Sequence, residues 1–300
     1  MNELTLVVMA AGMGSRFGGL KQITPVDDDN NFLIDYSVYD AIRSGFKKVI
    51  FIIKKENLEI FKETIGKRIE SKIKVEYAFQ EMENVPEFVT IPNNRLKPWG
   101  TVHAILAAKD LIHGGFAVIN ADDFYGYDSY KILAEFLNDE KNKDSHIAIP
   151  YPFNSVDSKY GFVKRGVLYL NEDNVEDIVE CNVGYEDNKV MAKPLNGDTP
   201  FEIEPTHPVS MNMFGFQESI LKDFEDYFTN FMKENLEHLD TAESLISEFL
   251  QDYLRSKKIT LKSRTSSGLW LGMTYKEDLE EVKQNLENLK KSGEYPTHIW

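Results

Sequence analysis

The chain has 300 residues, of which 42% are hydrophobic, 12% aromatic and 28% charged, and its formal net charge is −15. This length can bury a substantial core without disulfides or structural metals, and the composition excludes a low-complexity or disordered chain. So acidic a chain is also a poor candidate for binding DNA, RNA or an anionic membrane, because those partners require clustered Lys and Arg.

The negative charge is concentrated in the second part of the chain. Residues 1–125 carry 15 basic and 17 acidic side chains, whereas residues 126–300 carry 19 and 32. The single cysteine, Cys181, cannot form an intrachain disulfide, which favours a reducing compartment. The N-terminus lacks a basic signal-peptide region and its apolar run is broken at Gly12, so the sequence predicts a cytoplasmic protein without a signal peptide or transmembrane span.

Strand and helix patterns alternate through the first 125 residues. The continuous apolar run at residues 4–11 predicts a strand buried on both faces, and a glycine-rich turn follows it. The further predicted elements are helices at 35–44, 58–69 and 101–111 and strands at 48–53, 73–79 and 116–120. This alternation predicts right-handed βαβ units in an α/β fold with an open, mostly parallel sheet, which binds ligands beyond the carboxyl ends of its strands.

The second part reads as a mixed sheet that continues the first. The predicted strands are at 160–164, 167–170, 175–181, 190–192, 209–216 and 259–262, and the predicted helices at 217–235, 241–256 and 275–291. No Ser/Gly/Pro-rich linker separates the parts, so we predict a single domain over residues 1–300 with C-terminal helices. The acidic last helix predicts a solvated face, with a homo-oligomer contact as the alternative.

A glycine-rich turn follows the first predicted strand, with the spacing G-x-G-x-R-x-G-G-x-K from Gly12 to Lys21. Glycines allow backbone N–H groups to approach phosphate oxygens, and Arg16 and Lys21 can neutralise a triphosphate. A Walker A loop is excluded, because no Gly-Lys-Ser/Thr is present, and Phe17 stands where a dinucleotide fingerprint needs a third Gly or Ala. The alternative is a plain strand-to-helix turn.

This run resembles the signature loop of the nucleotidyltransferases that join a nucleoside triphosphate to a sugar phosphate or related phosphate and release pyrophosphate. Its short Arg16–Lys21 spacing is similar to that of the enzymes that transfer guanylyl and cytidylyl groups to the molybdenum cofactor. The resemblance implies that Arg16 and Lys21 stabilise the triphosphate. It also implies that nucleotide contacts come from Ala11, Gly12 and Gly14.

Two further motifs resemble the nucleoside-binding part of these enzymes. Trp99-Gly100-Thr101-Val102-His103-Ala104 is similar to the L-G-T-x-H-A segment of N-acetylglucosamine-1-phosphate uridylyltransferases, whose Gly-Thr backbone lies against the base and ribose. Gln80 matches a position that reads the base edge in that family. The alternatives are a helix N-terminus with Thr101 near its cap, and a solvent-facing Gln80.

The segment Asn120-Ala121-Asp122-Asp123 ends the fourth predicted strand, where this family places its metal-binding aspartate. Carboxylate oxygens suit Mg²⁺, which bridges to phosphate oxygens and keeps several waters. The resemblance therefore implies that Asp122 and Asp123 bind Mg²⁺. The alternative is that the pair caps the following helix.

Three later elements resemble the sugar-binding strands of uridylyltransferases. They are Tyr160-Gly161-Phe162-Val163, Ile178-Val179-Glu180 and Ser210-Met211-Asn212-Met213-Phe214-Gly215. The resemblance implies that Gly161, Glu180 and Asn212 face the sugar. One position departs from the pattern: glucose-1-phosphate thymidylyltransferases carry a second metal-binding aspartate in W-L-D-T-G, whereas this chain has Gly272 there, which leaves Asp123 or Asp278 as alternatives.

The resemblance as a whole implies a Rossmann-like GT-A nucleotidyltransferase fold. Residues 1–125 would form the nucleotide-binding half, residues 126–274 the sugar- or acceptor-binding half, and residues 275–300 the C-terminal helix. The implied reaction is a Mg²⁺-dependent transfer from an NTP to a sugar 1-phosphate, with Arg16, Lys21 and Asp122 as catalytic residues. Two alternatives remain open: a glycosyltransferase that uses an NDP-sugar donor, and a nucleotide-sensing module without catalysis.

Overall fold

The computed structural model describes residues 3–12, 24–273 and 278–300. The first half follows the predicted alternation of strands and helices. Its elements are β1 (Thr5–Met9), α1 (Leu33–Arg43), β2 (Lys48–Ile53), α2 (Leu58–Phe61), α3 (Lys67–Ile69), β3 (Lys74–Phe79), α4 (Thr101–Ala107) and β4 (Phe116–Asn120). A π-helical turn at Lys62–Gly66 joins α2 to α3, so that residues 58–69 form one helical segment as predicted.

The second half is richer in short strands. Its elements are β5 (Asp123–Phe124), α5 (Tyr127–Asn138), β6 (His146–Ala148), β7 (Tyr151–Pro152), β8 (Val163–Asn171), β9 (Asn174–Glu186), β10 (Lys189–Pro194), β11 (Phe201–Ile203), β12 (Pro208–Ser210), β13 (Phe214–Phe216), α6 (Ile220–Glu234), α7 (Ile246–Arg255), β14 (Leu261–Ser263), β15 (Leu271–Gly272) and α8 (Asp278–Lys291). Short 3₁₀ turns lie at Lys55–Asn57, Lys109–Leu111, Glu140–Asn142 and Phe153–Ser155.

One 13-stranded sheet runs through both halves, in the order β3-β2-β1-β4-β13-β6-β14-β9-β8-β12-β7, with β10 and β11 paired beyond β9. The strands β3, β2, β1 and β4 are parallel to one another, whereas most later pairs are antiparallel. A separate two-stranded sheet pairs β15 with β5. The predicted α/β class, a mixed sheet with a parallel core and flanking helices, is confirmed.

The parallel core forms because its strands are apolar on both faces. Every residue of β2 is buried, and four of the five residues of β1 are buried. Alternate side chains of a strand point to opposite faces. Accordingly, Leu6 and Val8 pack in the cluster that contains helix α1, whereas Val7 packs in the cluster that contains helices α4, α6 and α7.

Three predicted strands are joined or divided differently in the structure. The pieces predicted at 160–164 and 167–170 form one strand, β8, and the piece predicted at 209–216 is split into β12 and β13. The split occurs at Asn212, which has a φ of 59°. An asparagine tolerates this left-handed conformation, and the resulting turn lets β12 pair with β8 while β13 pairs with β4.

The C-terminal segment packs on helix α1 and on the loop before it. The Tyr295 hydroxyl donates to Asp40 at 2.6 Å, and the Trp300 indole N–H donates to Asp35 at 2.9 Å. Lys290 forms an ion pair of 2.8 Å with Asp27. Within the described ranges, no helix is both long and apolar enough to cross a membrane.

Candidate functional site

The carboxyl ends of β1 and β4 lie side by side, because these parallel strands pair with Met9 opposite Asn120. Buried Ala11 and exposed Gly12 follow β1, and Asp122 and Asp123 follow β4. Gly12, the first residue of the glycine-rich segment, and the acidic pair therefore follow adjacent strands at the same edge of the sheet. Gly14, Arg16 and Lys21 lie outside the described residues.

Asp123 is buried and held by its neighbours. Its Oδ2 accepts a hydrogen bond of 2.8 Å from the Asn120 side-chain amide and lies 3.2 Å from the Tyr125 hydroxyl. The same hydroxyl lies 2.9 Å from the Met211 carbonyl oxygen, and burial raises the pKa of Tyr125 well above its usual range. The hydroxyl therefore stays protonated, and its single hydrogen serves either Asp123 or Met211, while the Asn120 amide donates to Asp123 in both cases.

Four of the predicted site residues line one cavity of about 170 Å³. Asp122 and Asp123 reach it from the end of β4, Glu180 from β9, and Asn212 from the turn between β12 and β13. The remaining lining residues are Asn120, Lys164, Arg165, Gly166, Ser210, Met211 and Trp270. The structure thus brings together residues that are up to 150 positions apart in the sequence, from Asn120 to Trp270.

Glu180 and Asn212 place polar groups on the wall of this cavity. Burial raises the pKa of the Glu180 carboxyl. The nearby charges of Lys164 and Arg165 act in the opposite direction, because they favour its ionised form. The Asn212 backbone N–H donates to the Ser210 hydroxyl at 3.1 Å, which helps to fix its left-handed turn. A carboxylate and an amide at such a wall can bind hydroxyl groups.

Gly161 lies on an exposed turn with a φ of 111°, a conformation that favours glycine. Its neighbour Tyr160 lines a second cavity of about 240 Å³. Arg165 and Trp270 line both cavities, which are therefore adjacent. Gly161 is not brought to the first cavity in this structure, so its contact with a sugar stays a prediction.

The predicted nucleoside-binding residues form a second hydrogen-bonded group. The Gln80 side-chain N–H₂ donates to the Gly100 carbonyl at 2.9 Å and lies 3.3 Å from His103 Nδ1. His103 Nε2 lies 2.9 Å from the Asn84 carbonyl, which can only accept, so Nε2 carries the imidazole proton and Nδ1 accepts. Burial lowers the pKa of His103 to about 4, which keeps this ring neutral.

The Gly100-Thr101 pair packs closely against the segment before α7. A Cβ at Gly100 would lie 2.3 Å from the Ser244 carbonyl oxygen, and Gly100 has a φ of 97°, so only glycine fits. The Thr101 hydroxyl accepts from the Ile246 N–H at 2.9 Å. Helix α4 begins at Thr101, which agrees with the alternative that this motif is a helix N-terminus. Because the Thr101 hydroxyl already accepts from Ile246, the predicted nucleoside contact concerns the Gly100-Thr101 backbone and not this hydroxyl.

The position of the missing second aspartate lies directly beside Asp123. Strand β15 pairs Gly272 with Asp123 of β5. A Cβ at Gly272 would lie 2.3 Å from Trp270 Cη2 and 3.1 Å from Asp123 Oδ1. The Trp270 ring therefore occupies the space that an aspartate side chain would need. Asp278, the other alternative, lines the second cavity.

Asp122 and Asp123 are the carboxylates that follow β4 at this edge, and Glu180 lines the same cavity. Throughout residues 3–12, 24–273 and 278–300, no group of three or more His, Cys, Asp or Glu side chains could hold a metal ion. Mg²⁺ nevertheless requires only one or two protein carboxylates when substrate phosphates and waters complete its coordination.

Sequence reasoning missed Arg165 as a site residue and treated Trp270 only as part of the departing motif. The signal for Arg165 was the adjacent pair Lys164-Arg165 just after the Y-G element, and the signal for Trp270 was a lone tryptophan before Gly272. Neither signal indicates a site without the pairing of β15 with β5.

Fold and site together define an α/β protein with a polar cavity at the carboxyl ends of its parallel strands. A family model described as nucleotidyl transferase matches residues 5–288. The chain therefore belongs to the nucleotidyl transferase family, which confirms the resemblance and the predicted enzyme class. No curated protein sequence matches the chain.

Three solved structures illustrate the shared fold. A UDP-glucose pyrophosphorylase complexed with UDP-glucose is 20% identical, with a TM-score of 0.62 over 95% of this chain and 99% of its own. A putative glucose-1-phosphate thymidylyltransferase from Bacillus anthracis is 15% identical, with a TM-score of 0.62 over 94% of each chain. The inositol-1-phosphate CTP transferase from T. maritima is 13% identical, with a TM-score of 0.62 over 96% of each.

Proposed function

We propose that this protein transfers a nucleotidyl group from an NTP to a sugar 1-phosphate, giving an NDP-sugar and pyrophosphate. The observation that carries the proposal is the convergence of Asp122, Glu180 and Asn212 on one cavity beside the end of β1. The chain belongs to a family of nucleotidyl transferases. In such a protein, one site would then hold a carboxylate suited to a metal–phosphate complex together with polar groups suited to sugar hydroxyls.

In the proposed reaction, an oxygen of the acceptor phosphate attacks the α-phosphorus of the NTP in line. The bond from the α-phosphorus to its bridging oxygen breaks, and pyrophosphate leaves with the electron pair. Such reactions depend on positioning and charge stabilisation rather than on covalent participation of the protein. We assign Arg16 and Lys21 to the triphosphate, because their place after β1 brings the glycine-rich segment to the edge where Asp122 lies.

We assign Mg²⁺ binding to Asp122 first and to Asp123 second. Both residues follow β4, and both line the cavity. When bound, Mg²⁺ would neutralise phosphate charge beside the cavity. The two aspartates fit this ion because their hard oxygens adjoin a cavity large enough for waters and phosphate.

We assign Glu180 and Asn212 to the hydroxyl groups of the acceptor sugar, and Gly161 to the turn above it. The structurally similar pyrophosphorylase is complexed with UDP-glucose, and another neighbour is described as a glucose-1-phosphate thymidylyltransferase. These descriptions support a hexose 1-phosphate as the first acceptor to test.

The orientation of the Gln80 amide favours binding of a pyrimidine base whose ring carries an N–H group. Its N–H₂ group donates to Gly100 and to neutral His103, so Oε1 is left as the acceptor for a ligand. The N3 atom of uracil and thymine carries a hydrogen that this oxygen can accept, whereas N3 of cytosine is itself an acceptor. Among the pyrimidine nucleotides, UTP and dTTP are therefore the first donors to test.

The test is a pyrophosphate-release screen of NTPs and dTTP against sugar 1-phosphates with Mg²⁺. We expect turnover with a uridine or thymidine nucleotide and a hexose 1-phosphate. The Asp122→Asn variant should lose about 10²-fold or more in kcat, because transition-state charge loses its compensation. Exposed Asp144 offers the matched control, since Asp144→Asn makes the same chemical change away from the site.

Other outcomes identify other functions. Nucleotide binding without pyrophosphate release for every acceptor would favour a nucleotide-sensing module. Turnover of an NDP-sugar without pyrophosphate release would favour a glycosyltransferase. Either result would overturn the proposed reaction.

A further inference from the structure

Arg165 and Trp270 form a pair of side chains at the boundary between the two cavities. Arg165 lies on β8 opposite Cys181 of β9, and both Arg165 and Glu180 line the first cavity. Its guanidinium carbon lies 5.6 Å from the centre of the Trp270 ring. Both residues are partly exposed, and both line the cavity that holds Asp122 and Asp123.

Each residue carries a buried hydrogen-bond donor that no described residue satisfies. These donors are Arg165 Nε and the Trp270 indole nitrogen. Buried donors are normally paired, and an unpaired one costs free energy that an acceptor would recover. Two such donors on one cavity wall therefore indicate a ligand that brings acceptor oxygens.

The rest of the Arg165 side chain is anchored in a way that leaves donors for a ligand. Its Nη2 donates to the Val156 carbonyl at 2.7 Å and its Nη1 to the Lys164 carbonyl at 2.9 Å. These bonds use two of the five N–H groups of a guanidinium, which always carries its charge. In the described part of the chain, Arg165 forms no ion pair within 4.0 Å, although Asp123, Glu180 and Asp157 lie near enough to act on its charge.

The absence of a side chain at position 272 explains how Trp270 reaches this wall. Its ring edge lies over Gly272, where any Cβ would clash with it. A glycine at this position therefore admits the Trp270 ring beside Asp123.

We propose that Arg165 and Trp270 bind the phosphate group of the sugar phosphate acceptor. The inference rests on the proposed function, because it assigns one part of that acceptor. A phosphate has acceptor oxygens and negative charge, so it satisfies the indole N–H, the Nε–H and the guanidinium charge together. The two nitrogens are buried, so binding requires both side chains, which are partly exposed, to reorient. Bound here, the phosphate would lie between the sugar groups on Glu180 and Asn212 and the aspartates of β4.

The test compares variants that remove one donor each. Arg165→Lys keeps a positive charge but loses the Nε donor and the planar guanidinium group. Trp270→Phe keeps an aromatic ring but loses the indole N–H. With glucose 1-phosphate and UTP, we expect the KM for glucose 1-phosphate to rise about 10- to 100-fold in Arg165→Lys and about fivefold in Trp270→Phe. The KM for UTP should stay within about twofold, as it should for both substrates in the control Arg264→Gln, which changes an exposed arginine.

A structural role for the pair predicts a different pattern. If Arg165 only ties β8 to Val156, its variant should lower thermal stability and kcat without a selective change in the KM for glucose 1-phosphate. That pattern, or an equal rise of both KM values, would overturn the proposal. Melting temperatures of all variants separate these cases.

The proposal can fail separately from the proposed function. If the wild-type protein turns over no substrate pair, the proposed function fails. Calorimetric binding of glucose 1-phosphate then tests separately whether Arg165 and Trp270 bind its phosphate. Weaker binding to Trp270→Phe than to the wild-type protein would support the phosphate site, whereas equal binding, or no binding to either, would overturn it.

Discussion

At the scale of single residues, the orientation of the Gln80 amide leads to a prediction about nucleotide binding. Gln80→Glu would place a carboxylate oxygen against the Gly100 carbonyl and the lone pair of His103 Nδ1, both of which now accept from an N–H group. The resulting repulsion should turn the side chain away and weaken UTP binding about tenfold or more. Isothermal titration calorimetry with UTP measures this loss.

A matched control is Gln217→Glu. Gln217 also donates from its side-chain amide to a backbone carbonyl, that of Asn142 at 3.2 Å, but it lies outside both cavities and the Gln80 group. Unchanged UTP affinity in Gln80→Glu would show that the amide does not read the base.

The site residues that the sequence could predict are those carried by local motifs. Asp122 and Asp123 follow an apolar strand directly, so their place at the sheet edge follows from a short pattern. Arg165 and Trp270 become site residues only because β8 and β15 approach this edge from distant parts of the chain. No local periodicity encodes that approach, and an unpaired donor is defined only by its three-dimensional surroundings.

At the scale of secondary-structure elements, the C-terminal segment stabilises helix α1. The buried Tyr295 hydroxyl donates to Asp40 of α1, which Arg43 also contacts at 2.8 Å. Tyr295→Phe leaves one oxygen of this buried carboxylate without its donor. We expect the free energy of unfolding to fall by about 1–3 kcal/mol, as measured by urea denaturation.

Tyr169→Phe is the control for this change, because Tyr169 is 38% exposed and packs on Phe201 and His207 by its ring. It should alter the unfolding free energy by less than about 0.5 kcal/mol. A loss in Tyr295→Phe no larger than in this control would mean that the contact with Asp40 contributes nothing.

Element boundaries were predictable where burial is continuous and not where the backbone turns sharply. The strands at Lys48–Ile53 and Phe116–Asn120 have the predicted bounds, because an uninterrupted apolar run defines both ends. The break between β12 and β13 at Asn212 lies within the run from Val209 to Phe216, in which Ser210 is the other polar residue. The left-handed backbone at Asn212 lets the chain change its neighbouring strand. That change is required by the tertiary fold and not by the local sequence.

At the scale of the whole molecule, the repeated strand and helix patterns predicted the parallel half of the sheet but not the strand order of the other half. Strand β13 lies between β4 and β6, and β14 lies between β6 and β9. Each insertion joins segments more than 60 residues apart in the chain. Strands β6, β13 and β14 have only three residues each, and their partners are set by packing on both faces of the sheet.

The stability of the whole fold should respond to acid through buried His146. Burial lowers the pKa of His146 to about 4 from 6.5, so the unfolded chain binds a proton between these pH values that the folded chain does not. This histidine therefore contributes stability that is present above about pH 6.5 and is lost as the pH falls toward 4. The loss amounts to up to about 3 kcal/mol.

The variant His146→Gln isolates this contribution, because a glutamine oxygen can still accept from the Gln217 N–H, as Nδ1 now does at 3.2 Å. Other titrating groups act in both proteins and cancel in the comparison; among them is Asp40, whose pKa burial raises to about 7 and whose effect has the opposite sign. Urea denaturation at pH 7 and pH 4.5 should therefore show a smaller loss of unfolding free energy in the variant. Parallel losses in the two proteins would mean that His146 is protonated in the folded state, and that the packing of β6 against Phe216 tolerates its charge.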